Sequence, residues 1–202
     1  MDKDLDDLAP AEVYALLTQA VVPRPIAWVL SENEDGALNL APFSYFTVVS
    51  SDPPTIVVSI GRKRDGTVKD TRRNLEARAD CVVHIAHTEL AEALNATAAT
   101  LADGESEVER VGLETVPMAG SRLPRLAACR VALACRHVRT EEVGRQGVAY
   151  ARVLRVHVDD AVVGTDAKGR ERVLAAALEP LSRLGGGEYL SGGRIVTIAR
   201  PD

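Results

Sequence analysis

The spacing of apolar positions changes along this chain and marks out its elements. Residues 11–19 space their apolar side chains as a short helix, with Pro10 suited to the first turn, and Pro23 and Pro25 then stop it. Residues 26–31 are apolar and strand-like. Asp35-Gly36 after them is a good hairpin turn. Residues 38–50 form one long run, β-branched and aromatic toward its end, broken by Asp52-Pro53-Pro54. Another strand is predicted over 55–60. A charged loop over 61–66 leads to a helix over 69–78, with Leu75 and Ala79 spaced for one face.

The pattern continues with a buried strand over 81–86 and an alanine-rich helix over 89–98, for which Thr88 is the expected N-cap. Residues 103–123 read as an irregular excursion. Alternation then predicts a hairpin. Val131, Leu133 and Cys135 share one face of its first strand, residues 130–143; Tyr150, Leu154, Val156 and Val158 share one face of its second, residues 148–158. Residues 171–184 read as a late helix, kinked near Pro180. The glycine-rich end carries Tyr189. Strands that follow one another closely imply antiparallel pairing, and strand–helix alternation is absent, which argues against a doubly wound sheet. The expected architecture is mainly β with peripheral helices, a compact barrel in a single domain over 1–202, for no linker or repeat divides the chain.

Composition narrows the function classes. The formal net charge is −5 over 202 residues, against the basic footprint of general nucleic-acid binding. The opening residues are acidic and lack an apolar signal segment, and the longest uncharged stretch, residues 36–51, is too short and polar to span a bilayer. No nucleic-acid or membrane partner and a cytoplasmic location are expected. Cys81, Cys129 and Cys135 show no zinc spacing. Cys129 and Cys135 would stand roughly 20 Å apart on an extended strand, so reduced buried thiols are expected. The four histidines make no metal-ligand pattern, His84 and His87 falling on opposite faces of a strand, and no metal site is expected. There is no nucleophile elbow, Walker sequence or GxGxxG, and no catalytic acid–base pair stands out.

Two segments carry candidate chemistry. In Asn39-Leu-Ala-Pro-Phe-Ser-Tyr-Phe46, Pro42 breaks a ladder, which frees backbone groups for the edge of a planar heterocycle beside Phe43, Tyr45 and Phe46. The same segment also reads as an edge strand with a bulge. In the stretch from Ser59 to Thr71, a glycine loop and three consecutive basic residues run into a helix start. Lys69 and Thr71, with Arg62 or Lys63, would suit a phosphate monoester. The alternative there is a solvated turn with Asp70 as a helix cap. Together the two segments describe a pocket for a phosphorylated heterocycle.

PRPIAWVLS (23–31), NLAPFSYF (39–46), SSDPPTIVVSIG (50–61), RDGTVKDTRRN (64–74) and ALNATAA (93–99) stand in the order found in the flavin reductase-like, FMN-binding split-barrel family, including its flavoredoxin type. The later hairpin resembles the family more loosely. The resemblance implies a six-stranded antiparallel split β-barrel that forms a homodimer and binds FMN near the subunit interface. Asn39, Ala41, Pro42, Ser44, Tyr45 and Phe46 would line the ring and ribityl chain. Ser59, Ile60, Gly61 and Arg62 would continue toward the phosphate, which Lys69, Asp70 and Thr71 would hold. Tyr189 would cover the flavin from the partner subunit. Asn95 matches a motif without a derivable role. Trp28 reads as core. His137 is either a nicotinamide or substrate contact or an ordinary strand histidine. The implied activity is NAD(P)H-dependent flavin reduction, with NAD(P)H as co-substrate and electrons passed to a monooxygenase or other redox protein. The alternatives are a non-enzymatic FMN electron carrier and the same barrel holding a deazaflavin.

Overall fold

The computed structural model describes residues 1–102 and 104–198. Helix α1 (Pro10–Ala20) opens the chain, and Glu12 reaches back to the Ala9 N–H at 3.0 Å to close its first turn. Seven strands follow: β1 (Ala27–Glu32), β2 (Leu38–Phe43), β3 (Phe46–Ser51), β4 (Pro54–Ile60), β5 (Asp80–Ile85), β6 (Val131–Val143) and β7 (Gln146–Val158). They form one sheet in the order β2-β1-β5-β6-β7-β4-β3, every neighbouring pair antiparallel. Helix α2 (Asp70–Arg78) connects β4 to β5, while α3 (Ala91–Ala96) and α4 (Glu107–Val111) lie on the long connection from β5 to β6. The mainly β architecture agrees with expectation. The strand count corrects it, since the sheet has seven strands rather than six.

That order dictates the shape. β2 and β3 are the two edges of the sheet, yet only Ser44 and Tyr45 separate them. Edges of a flat seven-stranded sheet would lie about 29 Å apart. Three Cα steps cover at most about 11 Å. The sheet must therefore roll up, and Ser59 N–H donating to Tyr45 O at 2.8 Å ties the junction to β4. The run over 38–50, read as one segment, is thus two strands at opposite edges.

Rolling gives β1 a buried environment on both faces, and no residue from Ala27 to Ser31 is more than 1% exposed. Ala27 and Val29 face the interior with Phe43, Ile56, Val58 and Leu75 of α2. Trp28 and Leu30 face an outer layer that includes Leu40, Leu94 of α3 and Val108 of α4. Trp28 is core, as expected, and its indole N–H donates to Thr97 Oγ1 at 2.9 Å. Cys81 stands opposite Cys135 across β5 and β6, and all three thiols are free and buried, also as expected. Burial pushes the Cys129 thiol up to about 12.

Two other expectations are corrected. The helix over 89–98 is a 3₁₀ turn followed by α3, and Thr88 does not cap it: its hydroxyl pairs with Ser191 Oγ. The helix over 171–184 is a strand (Glu171–Val173), one helical turn α5 (Ala175–Leu178) and a strand (Leu181–Arg183). Pro180 cannot continue a helix, and Glu179 adopts φ 46° to reverse the chain ahead of it. On β7, Ala149 and Ala151 face the core, while Leu154 and Val156, on the face shared with Tyr150, are exposed, and the register with β6 shifts at two points.

Candidate functional site

The two chemical segments meet through a buried polar network. Asn39 Nδ2 on β2 donates to Ser31 Oγ at 3.2 Å and to Thr71 Oγ1 in the first turn of α2 at 2.9 Å. Asn74, one turn further, donates to the same Ser31 Oγ at 3.1 Å and to Asn33 Oδ1 at 2.8 Å. Ser31, Asn39, Thr71 and Asn74 are each at most 4% exposed. Buried polar groups are stable only when satisfied, so this network fixes the start of α2 against the edge strand β2.

Along the outer edge of β2, residues 38, 40 and 42 turn their backbone groups away from β1. Ser106 Oγ donates to Leu38 O at 2.6 Å, and Leu40 N–H donates to Glu107 Oε2 at 2.9 Å. Pro42 has no N–H to offer, and an edge is where a sheet tolerates it. Pairing with β1 runs on through Trp28↔Pro42 and Ala27↔Phe43. The interruption expected at Pro42 therefore falls at Ser44. Burial raises the Glu107 carboxyl above its ordinary range, and this wall residue had no signal in the sequence.

A groove runs past this edge. Its cationic end, a cavity of 620 Å³, is lined by Arg62, Lys63, Arg64, Asp65, Lys69 and the segment Ala98-Ala99-Thr100. A 90 Å³ neck follows, walled by Asn39, Ala41, Pro42, Lys69, Asp70, Thr71 and Glu107 among others. A third cavity of 190 Å³ shares Pro42 and Ala98 with the neck and adds Phe43, Ser44, Asn95, Arg183 and Tyr189. The ALNATAA segment thus lines all three cavities, which is the role that spacing alone did not reveal.

At the cationic end, the carboxylate of Asp70 is ion-paired with Lys63 (2.9 Å) and Arg73. Burial works against its charge, but these two cations hold its pKa below the ordinary value. Asp70 thus sits at the first helical position instead of capping α2. Lys69, at the N-cap, makes no side-chain cap bond and no ion pair among the described residues. Its ammonium lies 5.3 Å from the Phe43 ring centroid, and burial lowers its pKa. A half-buried ammonium without an anion, beside uncapped helix N–H groups, is chemically completed by a phosphate.

At the other end, Arg24 organises the break. Its Nε donates to Ser44 Oγ at 3.4 Å, its Nη1 to the α1 carbonyls of Thr18 and to Val21 O, and its Nη2 to Leu184 O at 2.8 Å. Arg24 and Pro25 pair with the strand Leu181–Arg183, which in turn pairs with Tyr189–Ser191. Tyr189 O–H donates to Asn95 Oδ1 at 3.1 Å. Tyr189 therefore reaches the groove of its own subunit.

Of the expected site residues, Asn39, Ala41, Pro42, Ser44, Arg62, Lys69, Asp70, Thr71 and Tyr189 line this groove. Tyr45, Phe46, Ser59, Ile60 and Gly61 do not. Phe46 packs at the barrel interior, Ile60 is fully buried there, and Ser59 and Gly61 meet Gln146 at the hairpin mouth. His137 lies at the far end of α2, where its N–H donates to Ala79 O and its Nε2 pairs with Thr140 Oγ1 at 2.8 Å. His84 is wholly buried. Its Nε2 accepts the Leu126 N–H (2.9 Å), so Nδ1 carries the proton and donates to Trp28 O (3.2 Å). Burial lowers its pKa to about 4. Among the described residues no metal-binding cluster exists, and no helix is long and apolar enough to cross a membrane.

The rolled antiparallel sheet has the fold of solved flavin reductases with a split-barrel domain. The model of the flavin reductase-like domain matches residues 19–175, and the chain belongs to that family. It is 39% identical to an uncharacterized protein, BH2278, of Halalkalibacterium halodurans, over 97% of this chain and 94% of that one. Among solved structures it is similar to nitrilotriacetate monooxygenase component B from Bacillus cereus (33% identity, 98% of each chain, TM-score 0.88). It also resembles 2-nitrobenzoate 2-nitroreductase NbaA of Pseudomonas fluorescens (25% identity, 100% of this chain and 96% of that one, TM-score 0.87).

Proposed function

We propose that the chain, as one flavin reductase-like domain, is an FMN-binding oxidoreductase that draws electrons from NADH or NADPH and hands them to a separate acceptor. The observation that carries this reading is the half-buried Lys69, without an ion pair among the described residues, at one end of a groove whose other end is walled by Pro42, Phe43, Ser44 and Tyr189. Lys69, Arg62 and the first N–H groups of α2 would hold the phosphate. The polypeptide of Pro42–Ser44, fixed by Arg24, would orient the ring, and Tyr189, held by Asn95, would shield it from water. The bound flavin supplies the redox chemistry, so the protein's tasks are positioning and electrostatics, and no acid–base pair is required of the side chains.

An electron-accepting partner such as a monooxygenase is supported by the likeness to a monooxygenase component; a small nitroaromatic acceptor is the counterpart suggested by the nitroreductase. A homodimer is supported by the apolar side chains left on β3 and β7: Val48, Val49, Leu154 and Val156 are 44–70% exposed. A cytoplasmic location is part of the same proposal.

The test is the visible spectrum of the purified protein followed by a turnover assay. Flavin absorbance with FMN uptake, and oxidation of NADH or NADPH that rises on adding free FMN, is the expected result. Tight FMN with negligible nicotinamide oxidation would instead make the protein an electron carrier. A preparation that takes up no flavin contradicts the reading.

A further inference from the structure

Among the described residues, Arg183 is the one charged side chain lining the 190 Å³ cavity at the Ser44 end of the groove. Its position is set from both sides, since its backbone pairs with Arg24 on one strand and Tyr189 on the other. The guanidinium lies 4.5 Å from the Tyr189 ring centroid, and its Nη2 donates to Gly186 O. No described carboxylate pairs with it, so its other N–H groups and its full charge remain available to the cavity. Arg24 is also a cation near Ser44, but its N–H groups are committed to carbonyls and to the Ser44 hydroxyl. The same cavity is lined by Ile26, Phe43, Leu94 and Ala98, apolar groups that lower the polarity around the charge of Arg183.

We propose that Arg183 favours the reduced flavin ring over the oxidised one and so raises the potential of the bound cofactor. The proposal rests on the flavin reading above. An oxidised ring is neutral. Taking up a hydride from a reduced nicotinamide nucleotide (two electrons and one proton) leaves the ring with one negative charge and the nicotinamide oxidised. A cation fixed beside the ring, with no described carboxylate to neutralise it, stabilises the charged product without reorganising. The groove then divides its two charge tasks: Lys69 and its neighbours bind a phosphate whose charge is constant, whereas Arg183 answers a charge that exists only after reduction.

The experiment measures the affinity of the full-length protein for oxidised FMN by fluorescence titration and the midpoint potential of the bound FMN by spectroelectrochemistry. Wild type is compared with Arg183→Gln and Arg183→Lys. Arg183 is half-buried at the surface of the small sheet, and bound-flavin absorbance reports directly that each variant keeps the site. The expected result for Arg183→Gln is oxidised-FMN affinity within about twofold of wild type, with reduced FMN held about tenfold more weakly. That tenfold change lowers the potential by about 30 mV. Arg183→Lys, which keeps the charge, retains most of the wild-type potential. An unchanged potential in flavin-bound Arg183→Gln overturns the proposal, and so does an equal loss of both affinities, which would make Arg183 a simple binding contact. In either case the flavin reading stands. Failure of the wild-type protein to take up FMN overturns both.

Discussion

The two ends of the groove are built by different means. The cationic end comes from one contiguous stretch, Arg62 to Thr71, closed by the segment Ala98-Ala99-Thr100. The Ser44 end is assembled from a strand break, α3, Arg183 and Tyr189, held together by a buried arginine whose partners are 3 to 160 residues away. The first presents cationic side chains to meet a fixed charge. The second shapes space with backbone and depends on the whole fold. Changes at the first should therefore alter affinity with little loss of stability, and changes beneath the second should show up in folding.

The largest effect should come from acid acting beneath the Ser44 end. His84 bonds Trp28 O, and Trp28 pairs directly with Pro42. Folded His84 titrates at about 4 against an ordinary 6.5. Above 6.5 both folded and unfolded chains carry it neutral, and it adds no pH dependence. As pH falls from 6.5 toward 4 only the unfolded chain takes the proton, so stability drops by about 3 kcal/mol over that window. Urea unfolding at several pH values should show this slope, and His84→Gln should flatten it; an identical slope in the variant would refute the assignment.

Next in size, Lys69→Ala should weaken FMN binding roughly 10- to 100-fold, the worth of a charge-assisted contact, while riboflavin binding hardly changes. Equal losses for both ligands would move the phosphate elsewhere. Asn39→Ala removes the donor shared by Ser31 and Thr71. It should cost about 1–2 kcal/mol in chemical denaturation and loosen both ends together. A loss confined to FMN affinity would mean that the network does not bear on folding. The smallest effect belongs to Tyr189→Phe. Losing the partly exposed bond to Asn95 should change stability by less than about 1 kcal/mol. A larger drop in melting temperature would show that the C-terminal hairpin carries more of the fold than its contacts indicate.

What the sequence reveals follows the same division. The loop-to-helix start with its lysines is local, and its charge and glycine pattern can be read directly. The strands from Ala27 to Ile60 are legible too, because β1 must be apolar on both faces and the turns between them carry Asp-Gly and Pro-Pro. The break at Ser44 is displaced by two residues in a sequence reading, because Pro42 announces itself while the true cause is that β2 and β3 lie at opposite edges of a rolled sheet. Arg24 and Glu107 do not stand out in the sequence, and Asn95 shows only as a motif position without a role: each acts through a carbonyl, an N–H or a hydroxyl brought from elsewhere by tertiary folding. Residues 171–184 mislead because alanine-rich spacing outweighs Pro180 in a local reading, whereas in the fold the strand Leu181–Arg183 is needed to pair with Arg24 and Pro25.

The central claim is that a single groove holds a phosphate at the Lys69 end and a planar ring at the Ser44 end. Side-by-side titration of the wild-type protein with FMN and with riboflavin, followed by quenching of flavin fluorescence, tests it most directly. Saturable binding of both, with FMN tighter by at least about tenfold, is the predicted result. Equal affinity for the two, or no binding of either, would contradict it.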